Sequence, residues 1–128
     1  MDQPDTDKAM SARDEVLLRG LIDWVPLQRL NTTLPRNIRH ESTSMIQRRV
    51  IELIRSLVDG GLAELGDLNG PDDRFAPWRF PLDESIDRIR RVYVDHFAED
   101  TIWPWYAWLN LAAKGEAAAQ RIESGLSG

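Results

Sequence analysis

Residues 42–68 read STSMIQRRVIELIRSLVDGGLAELGDL, and this stretch decides the fold class. Its apolar side chains recur at intervals of three and four residues, which predicts a long amphipathic helix over residues 43–60. The apolar stripe of this helix comprises Ile46, Val50, Leu53, Ile54, Leu57 and Val58. We expect Leu53 and Leu57 to be buried between this helix and the first helix of the chain.

Signals at both ends delimit the long helix. Ser44 and Gln47 match the S-x-x-Q capping box, in which the two side chains satisfy free backbone N–H groups. Gly60 and Gly61 supply the left-handed conformation that stops a helix. The alternation over residues 62–68 then predicts a short strand.

The rest of the chain is predicted to be mostly helical. Asp83 is a good N-cap for one of these helices. The predicted elements are helices over residues 11–24, 26–34, 83–97 and 112–125, the last bounded by Gly125, a loop over residues 69–81, and an aromatic strand over residues 101–111.

This order of elements is typical of a winged helix-turn-helix fold. We therefore expect a mainly α protein with a small β-hairpin, or wing. Residues 1–10 are predicted to be a disordered acidic tail, and residues 11–125 a single winged-helix-like domain. Residues 69–102 form an insertion with one helix between the wing strands.

The segment WLNLAAKGEAAAQRI, residues 108–122, resembles the junction between wing and final helix in MarR- and PadR-like winged-helix regulators. In that family a strand is followed by a capping Thr, two residues and Gly, and Ala112 stands where that Thr would be. The resemblance covers residues 11–68 and 103–124. It implies a winged-helix fold, a dimer and DNA recognition.

Composition excludes several classes of protein. The 128 residues include no cysteine, so disulfides, thiolate metal sites and cysteine catalysis are ruled out. No apolar run approaches the roughly 20 residues that span a bilayer. The beginning of the chain is acidic and polar, unlike a secretory signal, so we expect a cytoplasmic protein with no membrane partner.

The basic residues concentrate in one third of the chain. The net charge is −5 overall, yet residues 29–58 carry six arginines against two glutamates. If the helix over residues 43–60 lies in a DNA major groove, Gln47 and Arg48 would reach base edges, and Arg36, Arg39 and Arg55 would meet phosphates. The alternative is a solvated face on which Glu52 pairs with Arg48, Arg49 and Arg55.

Aromatic residues form the second candidate site. In a strand over residues 101–111, Trp103 and Trp105 would share one face, and Tyr106 and Trp108 the other. Trp105, Tyr106 and Trp108 are the candidate partner-binding residues, because exposed aromatics anchor interfaces. The alternative is that both faces are covered internally. The helix over residues 83–97 would then cover one face through Ile86, Ile89, Tyr93 and Phe97.

The sequence carries no motif for catalysis or for a cofactor. Asp95, His96, Glu99 and Asp100 cluster, but without a second histidine, and we interpret them as a helix end with exposed acids and a half-buried histidine. No phosphate loop, zinc signature or nucleophile elbow is present. We therefore expect no enzyme activity, no catalytic or metal-binding residues and no cofactor.

Two functions remain. The protein could be a DNA-binding transcriptional regulator that uses the 43–60 helix, with double-stranded DNA as its partner. It could instead be a protein-interaction module, such as an adaptor or an immunity- or antitoxin-like protein. In that case the acidic, Trp-rich half would bind a protein partner or a second copy of the chain. A contiguous positive face favours DNA, and neutralisation of the arginines by carboxylates favours protein.

Overall fold

A computed structural model of the protein describes residues 11–33, 42–69 and 74–127. Within these residues the helices are α1 (Ala12–Ile22), α2 (Leu27–Thr33), α3 (Thr43–Asp59), α4 (Leu82–Tyr93) and α5 (Ala113–Ser127), with a 3-10 turn at Trp103–Trp105. The strands are β1 (Val25–Pro26), β2 (Ala63–Asn69), β3 (Arg74–Pro77) and β4 (Trp108–Leu111). The prediction of a mainly α fold with a small sheet is confirmed.

The four strands form one antiparallel sheet in the order β1-β4-β2-β3. Leu109 pairs with Val25 on one side and with Leu65 on the other, and all three side chains are buried. Alternation along the strands therefore places these residues on the core side of the sheet. Trp108, which pairs with Pro26 and Gly66, points to the opposite side.

Helix α3 begins and ends through local hydrogen bonds. Its N-cap is Ser42, whose hydroxyl accepts a hydrogen bond from the Met45 N–H, so the prediction of a cap at Ser44 is wrong by two residues. The glycine stop is confirmed at Gly61, whereas Gly60 keeps a right-handed helical conformation. Gly61 has a φ of 76°, and Leu62 N–H donates to the Leu57 carbonyl in a Schellman arrangement.

The core side of α3 is wider than its aliphatic stripe. Val50, Ile54 and Leu57 are buried as predicted, but Leu53 is only half-buried. Gln47 and Ile51 are also buried, because α4 packs against this side of the helix, while β2 and α2 cover the rest. Helix α1 packs mainly against α5, so the predicted packing of α3 on α1 is not a main contact of either helix, although Leu57 is buried as predicted.

The segment predicted to be an insertion, residues 69–102, differs from its prediction in two ways. Strand β3 lies in the predicted loop, where it extends the sheet by pairing with β2. Helix α4 follows Pro81 and ends at Tyr93, so Asp83 lies in its first turn and is not the N-cap.

Helix α5 continues through Gly125, which was predicted to end it.

The predicted strand over residues 101–111 is a strand only at Trp108–Leu111. Pro104 places residues 103–105 in a 3-10 turn, since proline cannot donate to a strand ladder. Helix α4 buries Ile86, Ile89 and Tyr93 as predicted. It packs mainly against α3 and the 3-10 turn, so the predicted cover holds at Trp103, which Tyr93 and Phe97 contact, but not along the strand Trp108–Leu111.

No helix in the described parts of the chain combines the length and apolar character that a bilayer crossing requires.

Candidate interaction surfaces

A groove of about 630 Å³ lies between α3 and α4. Both helices contribute charged side chains to it, and its floor is partly apolar. We call it the arginine groove; its lining residues are Ser44, Gln47, Arg48, Ile51, Glu52, Arg55, Arg90 and Val94. Three of the five residues predicted to bind nucleic acid therefore lie together.

Gln47 does not lie on the exposed face of α3. Only 4% of its surface is exposed, and its side-chain Nε2 donates to the Tyr93 carbonyl over 3.2 Å. The prediction that Gln47 reaches base edges is wrong, since the side chain is fixed against α4. Helical spacing alone cannot predict that Gln47 is buried. Its burial depends on a hydrogen bond to a backbone carbonyl of another helix.

Arg55 is engaged by a carboxylate. Its guanidinium lies 2.8 Å from the Asp83 carboxylate in an ion pair exposed to solvent. Glu52 pairs with neither Arg48 nor Arg55 among the described contacts, so this part of the local pairing expected for a solvated face is wrong. Asp83, on the neighbouring helix, was not foreseen as a partner because the packing of α4 on α3 was not predicted.

Arg48 and Arg90 face the same groove from α3 and α4. Both are exposed, and neither makes an ion pair with a residue that the structure describes. Arg90 was not predicted as a site residue, although it follows the buried Ile89 and so lies at the edge of the apolar stripe of α4. Arg36 and Arg39 lie outside the described residues.

The solvent side of the sheet carries aromatic rings. Trp24 stacks on Phe75 with ring centroids 6.4 Å apart, and Trp105 stacks on Trp108 with centroids 5.9 Å apart. Phe75 lies close over the Gly66 backbone, because a Cβ added there would be 2.6 Å from the Phe75 ring. We call Trp24, Phe75, Trp105 and Trp108 the aromatic face.

The aromatic face is only partly covered. Trp105 is 53% exposed, and Ile22, at the end of α1, is 87% exposed. A groove of about 290 Å³ adjoins the aromatic face, and its lining includes Ile22, Trp24 and Trp108. Trp24 and Phe75 were not predicted as interface residues, because neither spacing nor motif reveals that the sheet brings them towards β4.

Tyr106 belongs to a different cluster from Trp105 and Trp108. Its ring meets Trp78 edge-on with centroids 5.6 Å apart, and Trp78 in turn contacts Phe80. The Arg88 guanidinium lies 3.9 Å from the centre of the Phe80 ring. The hydrogen bond that Arg88 donates to Glu84 is the main cause of the raised pKa of Arg88. The three predicted partner-binding residues thus do not form one cluster of rings.

Trp103 lies in the core and not beside Trp105. Its ring stacks on Phe97 at 4.9 Å and contacts Tyr93 at 5.0 Å, and its indole N–H donates to the Phe97 carbonyl. The 3-10 turn therefore separates the two tryptophans that a strand would have placed on one face. This turn explains why Trp105 lies at the surface.

The acidic cluster after α4 is exposed. The His96 Nδ1 lies 2.6 Å from the Glu99 carboxylate, and both side chains are more than half exposed, so His96 is not half-buried as predicted. Within the described residues, no group of three or more histidine, aspartate or glutamate side chains is arranged to hold a metal ion.

Comparison with known proteins gives no relative: no family model matches the sequence, and neither a curated protein nor a solved structure matches the chain. The arginine groove and the aromatic face are the two candidate interaction surfaces among the residues that the structure describes.

Proposed function

We propose that the protein is a non-enzymatic interaction module that binds a protein partner through its aromatic face. One observation carries this proposal: Trp105 is 53% exposed while stacked on Trp108, and Trp108 lines the same groove as Ile22, which is 87% exposed. Contiguous exposed apolar side chains on a soluble domain mark interaction sites, and tryptophan is among the residues that most often dominate binding energy.

The electrostatics of α3 support a protein partner over DNA. Gln47 is fixed to Tyr93, and Arg55 is paired with Asp83, so two of the three described candidates for DNA contact are already engaged. The net charge of −5 also repels a polyanion. These features support placing the main partner surface on the sheet.

Replacing Trp105 by Ser should weaken partner binding by at least about tenfold, because a central aromatic anchor contributes 2 kcal/mol or more. The partner would first be captured by photo-cross-linking from benzoylphenylalanine in place of Ile22, then purified. Its affinity for the wild type and the variant would be measured by calorimetry. Met45→Ser is the matched control, since Met45 is 46% exposed and lies on α3.

The same cross-linker placed at Met45 should not capture that partner. If Trp105→Ser binds as tightly as the wild type, or if Met45→Ser weakens binding equally, the aromatic face is not the site. Sedimentation of the purified chain distinguishes a second copy from another protein, because a homodimer would dissociate on Trp105→Ser.

DNA binding by α3 is a second candidate function. The strand order β1-β4-β2, with α2 and α3 between β1 and β2, agrees with the winged-helix resemblance. Arg48 also remains unpaired among the described residues of the helix that would enter a major groove. These two observations favour it, although fold alone does not assign function.

If α3 binds DNA, labelled genomic fragments should be retained at low salt and released steeply as salt rises, since counterions are displaced from the duplex. Arg48→Ala should weaken retention, whereas Arg13→Ala, an exposed arginine on α1, should not. Fluorescence anisotropy measures both. An absence of retention at micromolar protein would remove this second function.

A further inference from the structure

We propose that the arginine groove binds a peptidic carboxylate, meaning a carboxylate attached to an apolar residue whose nitrogen is acylated. A small N-acyl amino acid and the C-terminus of a polypeptide share this chemistry. The inference does not depend on the aromatic face, which lies on the sheet and shares no residue with the groove.

The orientation of the Gln47 amide supplies the first argument. The Tyr93 carbonyl can only accept a hydrogen bond, so the atom that faces it must be the amide nitrogen of Gln47. The amide oxygen is then left as an acceptor, and it receives no hydrogen bond from the described residues. Because Gln47 is 96% buried and lines the groove, a ligand that donates an N–H would satisfy this oxygen.

The arginines supply the second argument. Arg48 and Arg90 line the groove from opposite helices and carry guanidinium groups without ion-pair partners in the described chain. Arginine donates two parallel hydrogen bonds to a carboxylate, and these charge-assisted bonds are about twice as strong as neutral ones. The groove therefore favours a carboxylate at the rim shared by the two helices.

The apolar part of the groove supplies the third argument. Ile51 and Val94 line it beside Gln47, and both are partly or wholly buried. An apolar side chain between the carboxylate and the acylated nitrogen would rest on these two residues. A carboxylate, a neighbouring N–H and an apolar side chain occur together in an acylated amino acid. The 630 Å³ of the groove is within the size range of small-molecule sites.

Glu52 acts against this ligand. Its carboxylate lines the same groove and makes no ion pair with a described residue, so it repels an incoming carboxylate. Replacement of Glu52 by Gln removes this repulsion without a large change in shape. Binding of the carboxylate should therefore become several-fold tighter. If the ligand instead binds nonspecifically to arginines far from Glu52, this substitution should leave its affinity unchanged.

The test is an NMR titration of the isotope-labelled protein with N-acetyl-leucine. Resonances of α3 and α4, including the Gln47 side-chain amide, should shift with an affinity in the range of about 1 mM. N-acetyl-leucinamide, which lacks the carboxylate, and 4-methylpentanoate, which lacks the N–H, should both bind more weakly. Equal shifts with the amide would overturn the proposal.

Variants locate the site. Arg48→Ala and Arg90→Ala should each weaken N-acetyl-leucine binding by about tenfold, consistent with loss of a charge-assisted contact. Arg13→Ala and Trp105→Ser should leave it unchanged, because both residues lie away from the groove. If Arg13→Ala weakens binding as much as Arg48→Ala does, or if no resonance shifts at about 10 mM ligand, the proposal fails.

Peptides identify the source of the ligand. A hexapeptide that ends in a free leucine carboxylate should bind the groove, whereas the same peptide with an amidated end should not. Tighter binding of the peptide than of N-acetyl-leucine would indicate a polypeptide C-terminus, and equal or weaker binding would indicate a small N-acyl amino acid. If none of these ligands binds, the proposed binding of a protein partner to the aromatic face is unaffected, because that proposal is tested separately with Trp105→Ser.

Discussion

Replacing Tyr93 by Ala is expected to lower the free energy of unfolding by about 3–5 kcal/mol, the cost of removing a large aromatic side chain from a packed core. Tyr93 is fully buried at the end of α4 and contacts the rings of Phe97 and Trp103. Its hydroxyl donates to the Asn31 side chain on α2, and its carbonyl accepts from Gln47 on α3. The residue thus joins α4 to both α2 and α3.

Urea denaturation followed by circular dichroism would measure this loss. Tyr93→Phe keeps the ring and removes only the hydroxyl, so it should cost about 1–2 kcal/mol, because the Asn31 side chain loses a partner. Tyr106→Ala is the comparison on a half-buried tyrosine and should cost less than Tyr93→Ala. A loss below about 1 kcal/mol for Tyr93→Ala would mean that α4 does not pack on α3 as described.

Alkaline pH provides an independent test of the same contact. Burial raises the pKa of Tyr93 well above its ordinary value, so folding favours the neutral hydroxyl. This contribution is fully present below the pKa of an unfolded tyrosine, about 10, and is lost progressively as the pH rises from there through the folded pKa. Tyr93→Phe should therefore lose less stability between pH 9 and pH 11, roughly one unit either side of that value, than the wild type does.

The elements that the sequence predicted well are those with a local physical cause. The glycine stop after α3 depends only on Gly60 and Gly61, and the apolar positions Val50, Ile54 and Leu57 follow from the helical period. Because neighbouring residues determine these features, they can be deduced without knowledge of the tertiary packing.

The features that the sequence did not predict depend on contacts between distant segments. Gln47 is buried because Tyr93, 46 positions further along the chain, presents a carbonyl to it. Arg55 is paired because α4 brings Asp83 beside α3. Trp105 is separated from Trp103 because a proline between them replaces a strand with a turn. The structure therefore brings together only some of the residues of each predicted site, and where the others lie depends on how residues 74–105 pack.

Replacing Gly115 by Ala is expected to destabilise the protein by about 3 kcal/mol, although alanine is the better helix former by about 1 kcal/mol. Gly115 lies in the first turns of α5. A Cβ added there would be 2.0 Å from the Leu62 carbonyl oxygen, which also accepts a hydrogen bond from the Ala112 N–H. Because the clash is with backbone, no side-chain rotation relieves it, and α5 must move away from the segment that joins α3 to β2.

Gly125→Ala is the matched control within the same helix. No atom lies within 4 Å of a Cβ added at Gly125, so helix propensity acts alone and the substitution should stabilise the protein by up to about 1 kcal/mol. Thermal and urea unfolding of the two variants should therefore change in opposite directions. If both variants gain stability, α5 does not approach the Leu62 backbone closely, and the close packing of α5 on the end of α3 is wrong.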